Sequence, residues 1–179
     1  MHSIFAISGS LRAASVNTAL LTVMAQLAPP GMRIDLFTGM ASLPLFNPDL
    51  DDAPPAAVLA FRAALHAADA VVIASPEYAH GVTGVIKNAL DWIVGSGELE
   101  NKPVALLSAA TRAMHGPEAL RKTLLVMGAR LIDGACIAVP VNNSRADAAA
   151  ILALRDAVAA LHAVLAAIHL SVDAVAAPG

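Results

Sequence analysis

The residue types best suited to chemistry fall in one short run, Ser8-Gly9-Ser10-Leu11-Arg12-Ala13-Ala14-Ser15-Val16-Asn17-Thr18, between an apolar stretch and a helical pattern. The run gathers hydroxyls, an amide and a guanidinium around the start of a helix. Free N–H groups of a first helical turn attract anions, and the helix dipole adds to that pull. Ser10, Ser15, Asn17 and Thr18 offer further hydrogen bonds, and Arg12 offers a charge-assisted bond of the kind phosphate accepts. Gly9 lets the chain turn tightly after the strand. The chain has no G-x-x-x-x-G-K-[ST], no G-x-G-x-x-G and no G-x-S-x-G. These absences argue against a P-loop, a dinucleotide fingerprint and a nucleophile elbow. The run therefore reads as a cradle that holds a monophosphate ester rather than transferring it. The same residues also read as a plain capped helix, with Ser15 as N-cap and Arg12 as a surface charge.

A second segment runs from Ser75-Pro76-Glu77-Tyr78-Ala79-His80-Gly81 through Gly84 to Lys87-Asn88-Ala89-Leu90-Asp91-Trp92. It contains the single tyrosine, Tyr78, and the single tryptophan, Trp92. Pro76 stiffens the turn, while Gly81 and Gly84 allow close backbone approach. A rigid, backbone-rich loop with one aromatic suits the edge and face of a planar heterocycle. Tyr78 and His80 also read as ordinary loop side chains, and Asn88, Asp91 and Trp92 as residues that cap and pack a helix.

The pattern around these loops alternates short apolar runs with helical spacings. Strands are expected at Ser3–Ser8, Met32–Phe37, Ala70–Ala74, Val104–Ser108 and Leu131–Val139. Helices are expected at Val16–Leu27, Ala56–Ala67, Gly84–Ile93, Pro117–Met127 and Ala146–Leu170. Such alternation implies parallel pairing through right-handed crossovers, and unbroken apolar strands imply a sheet covered on both faces. The expected fold is a three-layer α/β sandwich forming one domain over residues 1–171, with a frayed tail at 172–179. In such folds ligands bind beyond the carboxyl ends of the strands, where these loops lie.

Composition narrows the classes. The 179 residues are 58% hydrophobic and 14% charged, with a formal net charge of −3, so disorder is excluded and a basic nucleic-acid module is disfavoured. One cysteine, Cys136, rules out an internal disulfide and a thiolate metal cluster, and fits a cytoplasmic setting. Ala148–Leu170 is long and apolar, but Arg155 and Asp156 would each cost about 2.5–3.5 kcal/mol at a bilayer centre. It reads as a buried helix, and no membrane partner is expected. The six histidines show no metal-ligand spacing along the chain, so no metal is expected.

G-S-L-R-x-x-S-x-N after the first strand, P-E-Y after the third, and G-V-x-K-N-A-L-D-W beyond it together resemble the NADPH-dependent FMN reductases, over about residues 4–137. That resemblance implies a flavodoxin-like five-stranded parallel sheet of order 2-1-3-4-5 with bound FMN. It implies phosphate contacts from Ser10, Arg12, Ser15 and Asn17, joined by Thr18, and a ring-lining segment at Pro76, Glu77 and Tyr78 that continues into Ala79, His80 and Gly81. Ala79 stands where many members carry Asn. In the third loop, Ser108 to Pro117, the family's double glycine is missing, and Ser108, Ala109 and Thr111 are expected to present backbone N–H groups. Arg112 and His115 stand nearby, Arg112 reading either as a solvated cation or as a contact for an acidic ligand.

The implied activity is hydride transfer from NADPH or NADH through FMN to a flavin, a quinone or a similar small acceptor. No catalytic side chain is required. The loop Leu43-Pro44-Leu45-Phe46-Asn47-Pro48 matches a segment near subunit interfaces, so a homodimer or homotetramer is expected. A flavodoxin-type electron carrier without NAD(P)H turnover is the competing reading, and a phosphate-ligand protein without flavin is a third.

Overall fold

The computed structural model describes residues 1–109 and 114–176. Its centre is a parallel sheet of β1 (His2–Ser8), β2 (Met32–Leu36), β3 (Ala70–Ala74), β6 (Pro103–Ser108) and β7 (Arg130–Ala138), in the order β2-β1-β3-β6-β7. Counting only these long strands, the order is the expected 2-1-3-4-5. A separate two-stranded hairpin, β4 (Glu77–Tyr78) and β5 (Gly81–Val82), was not foreseen from the sequence.

Alternation along each strand builds the two cores. Ile4 and Ala6 of β1 face one layer, with Val72 of β3 and Leu107 of β6. Phe5 and Ile7 face the other, with Val71, Ile73 and Leu106. The first layer is covered by α1 (Val16–Leu27), α5 (Ala148–Leu152) and α6 (Arg155–Ala176). The second is covered by α2 (Ala56–Ala67), α3 (Gly84–Asp91) and α4 (His115–Val126). All five residues of β3 are buried, as a central parallel strand requires.

Helix starts follow the chemistry of orphan N–H groups. Ser15 caps α1 by accepting from the Thr18 N–H, Thr83 caps α3 through Ile86, and Asp147 caps α5 through Ala150. α1, α2 and β3 occupy the residues expected of them. The last helix does not: it is two helices, broken at Ala153-Leu154, with α5 packed on α1 and α6 packed mainly on β7 and also on β6 and α1. α6 also runs past Leu170 to Ala176, with Val172 buried, so the chain stays helical well into the segment expected to fray.

Arg155–Val175 is long and apolar enough to cross a membrane by length and composition. In this fold Ala157, Leu161, Val164, Leu165, Ile168 and Val172 are buried in the core beneath the sheet, at the three-to-four spacing of one helix face. At the far edge, Val104 pairs with Leu131 but Leu106 pairs with Cys136. β7 thus advances five residues while β6 advances two, a bulge that contains Gly134 at φ +77°.

Candidate functional site

The carboxyl ends of β1, β3 and β6 bring the three loops together. The first is fixed at its root. The Gly9 N–H donates to the Ala74 carbonyl at 2.8 Å, and the Ser8 and Thr18 hydroxyls bond each other at 2.7 Å. Gly9 has no room for a side chain: a Cβ there would sit 2.3 Å from Ser75 Oγ and 2.9 Å from Ile86 Cγ1. The first two loops are therefore in contact, and glycine is what lets them meet.

Beyond that root the loop opens outward. Leu11, Arg12, Ala13 and Ala14 are exposed, and the Arg12 N–H donates to Ser10 Oγ at 3.3 Å. The Arg12 guanidinium makes no ion pair among the described residues. Ser15 Oγ is spent on the Thr18 N–H, and no acidic side chain occupies the first turn of α1. The N–H groups of Val16 and Asn17 have no intrahelical partner by position. Asn17 is only 4% exposed, and its carbonyl oxygen is buried with no partner among the described residues. An unpaired buried polar atom costs about 1–3 kcal/mol, so this amide is a group that a bound polar molecule would satisfy. Ser10, Arg12, Ser15 and Asn17 share one loop–helix junction as expected. Thr18 is there too, but its hydroxyl is engaged by Ser8.

The second loop is a tight hairpin. Ala79 and His80 form its turn with φ of 49° and 59°, the pair of left-handed residues that a type I′ turn demands. Neither is glycine, and for an L-residue that conformation costs roughly 1–2 kcal/mol. Such strain persists where the surroundings enforce it, and it gathers at functional loops. The enforcing contact is Glu77. Its Oε2 accepts the Gly116 N–H at 2.7 Å, and its Oε1 lies 3.2 Å from His80 Nδ1. The His80 ring meets His115 edge-on with centroids 4.8 Å apart. The Gly116 N–H, with help from His80 and His115, holds the Glu77 carboxyl below its ordinary value of 4.5, against the opposing pull of burial.

Glu77 thus braces the hairpin against the first turn of α4, so its carboxylate is committed there, while the backbone of Glu77, Tyr78, Ala79, His80 and Gly81 forms the hairpin itself. Tyr78 is 58% exposed. A Cβ at Gly81 would meet only the Tyr78 carbonyl at 3.7 Å, and one at Gly84 nothing, so neither glycine is needed for packing within the chain. Gly116 is the tight one: a Cβ there would lie 3.0 Å from Glu77 and from the Gly81 carbonyl. Sequence reasoning missed it, although Gly116-Pro117 next to a helix start was a visible signal.

Of the third loop, Ser108 is buried at the end of β6 and accepts the Val139 N–H through its carbonyl at 2.8 Å. Thr111 and Arg112 lie outside the described residues. A cavity of about 220 Å³ opens where the second and third loops meet, lined by Ser75, Pro76, Val82, Ser108, Met114 and Gly116. Cys136 also reaches it; its thiol is pushed above the ordinary value by burial, which disfavours the reactive thiolate. A further groove, beside Ser15 and Thr18, is shared by Arg145, a second cation near the first loop that the sequence did not single out.

A doubly wound sheet of this order, with a helix start and a braced hairpin at its carboxyl edge, defines a flavodoxin-like fold. Comparison with known proteins makes the assignment specific. The model of the family described as NADPH-dependent FMN reductase matches residues 2–144. An NAD(P)H-dependent FMN reductase of Pseudomonas aeruginosa is 40% identical over 130 residues, 69% of this chain and 70% of that one. A quinone reductase of Escherichia coli is 31% identical over 132 residues, 70% of each chain. Among solved structures, the flavoenzyme FerB of Paracoccus denitrificans, an NAD(P)H:(acceptor) oxidoreductase, superposes with a TM-score of 0.74 at 26% identity. That match covers 97% of this chain and 96% of FerB. The chain belongs to the NADPH-dependent FMN reductase family.

Proposed function

We propose that the first loop holds the phosphate of FMN and that the braced hairpin supports its ring, so that NAD(P)H and a quinone- or flavin-type acceptor are used in turn. As a member of this family the chain is an FMN-dependent NAD(P)H oxidoreductase. The observation that carries the site assignment is the junction at Asn17. A buried Asn17 Oδ1 and an Arg12 guanidinium, neither paired among the described residues, and first-turn N–H groups with no intrahelical partner lie together at one helix start.

When bound, FMN supplies the two-electron chemistry, taking a hydride from NAD(P)H and passing it on. The work of this chain is binding, orientation and electrostatics. Arg12 and the first-turn N–H groups of α1 offset the phosphate charge. Asn17 offers its amide to the polar chain of the ligand. The Ala79-His80 turn and Gly81 present backbone rather than bulk to the ring. No side chain is assigned an acid–base step, since His80 is committed to Glu77.

The purified protein should be yellow and should oxidise NADPH with menadione through alternating use of one site. A flavin-loaded protein that shows no NADPH turnover would restore the electron-carrier reading. A protein that stays colourless after FMN addition and desalting would leave a phosphate-ligand protein without flavin.

The assembly is proposed as a homodimer or homotetramer. In the loop after β2, Leu43 is buried, and Asn88 and the Trp92 indole both donate to the Pro44 carbonyl, yet Leu45 is 85% exposed. A loop pinned at its base with an apolar tip suits a subunit contact, and light scattering after size exclusion measures it. A cytoplasmic location is proposed with it, in keeping with a lone cysteine.

A further inference from the structure

We propose that His2, His169 and Asp173 form a binding site for a divalent transition metal of the zinc class, joining the start of β1 to the last helix. His169 and Asp173 are one turn apart on α6 and share a face. His2 is the first residue of β1. Their potential ligand atoms all lie within 4.8 Å of one another. His2 Nε2 is 3.0 Å from Asp173 Oδ1, and His169 Nε2 is 3.4 Å from Asp173 Oδ2. A tetrahedral zinc ion with bonds of about 2.0–2.1 Å has ligand–ligand edges of roughly 3.3 Å; each imidazole already stands at about that distance from one oxygen of Asp173, and side-chain rotation on exposed His169 and Asp173 closes the 4.8 Å spread of the set.

The donor set fixes the metal class. Two imidazoles and one carboxylate suit zinc, nickel or copper, whereas calcium and magnesium prefer oxygen donors throughout. The two rings stand edge-on at 65° with centroids 4.9 Å apart, and each directs its Nε2 at the Asp173 carboxylate. The His2 side chain is 19% exposed and anchored by the strand, while those of His169 and Asp173 are about half exposed. This leaves a coordination position open to water. Neighbouring cations are engaged elsewhere and do not compete for Asp173: Arg130 donates to Ser171, and Arg33 pairs with Asp35.

The site has no part in flavin chemistry. It lies at the amino end of β1, six residues from Ser8, or about 20 Å along a strand. Its effect is to cross-link two segments that are 167 residues apart in sequence between His2 and His169. Ligands from opposite ends of the chain leave no spacing signature, which is why the histidines read as unrelated.

The test uses the FMN-loaded protein with no polyhistidine tag, titrated with zinc chloride by calorimetry. One zinc per chain is expected, with affinity reduced at least tenfold in both His169→Gln and Asp173→Asn. The melting temperature should rise with zinc in the parent and stay flat in either variant. Menadione-linked NADPH turnover should match the parent in both variants. Both carry their changes on exposed side chains, and retained flavin reports that they fold. No stoichiometric zinc binding, or binding undiminished in both variants, overturns the site.

Discussion

The first and second loops, proposed above to share one ligand, are built by opposite means. The first is relaxed and polar: its root is locked by Gly9, Ser8 and Thr18, and its working groups are left unspent. The second is strained and braced: two non-glycine residues sit at positive φ, held by a carboxylate that reaches across to α4. The difference teaches what each must do. A phosphate needs donors, which can wait in place at a helix start. A flat ring needs backbone close to it, and on the proposed reading that is what the strained, tied turn supplies.

The sharpest way to break this comparison is at the roots. Gly9→Val drives atoms into Ser75 and Ile86, so it should abolish flavin retention and also lower the melting temperature, overpacking costing about 1–3 kcal/mol. Gly81→Val has room within the chain, so it should keep the parent's melting temperature and lose flavin only. Equal unfolding in both variants would erase the distinction between a packing glycine and a ligand glycine.

Next in size is the cradle's charge. Arg12→Ala should weaken FMN by about 1.5–3 kcal/mol, roughly ten- to a hundredfold in Kd, while riboflavin, which lacks the phosphate, should bind the variant and the parent alike. An equal loss for both ligands would place Arg12 away from the phosphate.

The brace predicts a pH effect whose sign is fixed. The Glu77 carboxyl titrates below 4.5 in the fold, so its ionised form favours the folded hairpin. That contribution is fully present above pH 4.5 and is lost as pH falls through the lowered folded value. Flavin affinity in the parent should therefore fall more steeply below pH 4.5 than in Glu77→Gln, which has no charge to lose. Parallel acid profiles would remove the brace from the account.

The smallest effect is relief of strain. Ala79→Gly should stabilise the protein by about 0.5–1 kcal/mol, a rise of roughly 1–4 °C in melting temperature at this size, because glycine tolerates positive φ. A lowered melting temperature would show that the turn is not strained.

Much of this was legible in the residues. Apolar runs such as Ala70–Ala74 and capped patterns such as Ser15 followed by Val16–Leu27 report local physics, and the elements fall where that physics puts them. The junction that gathers Ser10, Arg12, Ser15 and Asn17 was legible for the same reason, since a helix start and the residues around it are neighbours in sequence. The hairpin was not. Ala79-His80 lacks the Asn-Gly or Asp-Gly signature of its turn, and the reason it forms lies 39 residues away at Gly116. The break between α5 and α6 has no proline or glycine and coincides with a change of main neighbour, from α1 to β7. Glu77 illustrates both sides: its membership of the loop was readable, and the direction of its carboxylate was not.

The near-contact between Gly9 and Ser75 also bears on how relatives can diverge. With Oγ of one loop 2.3 Å from where the other would carry its first side-chain carbon, neither position is free to grow alone. Homologues that place alanine at the first should carry glycine at the second, so the pair should evolve as a single steric unit, enlarging on one side only as it shrinks on the other.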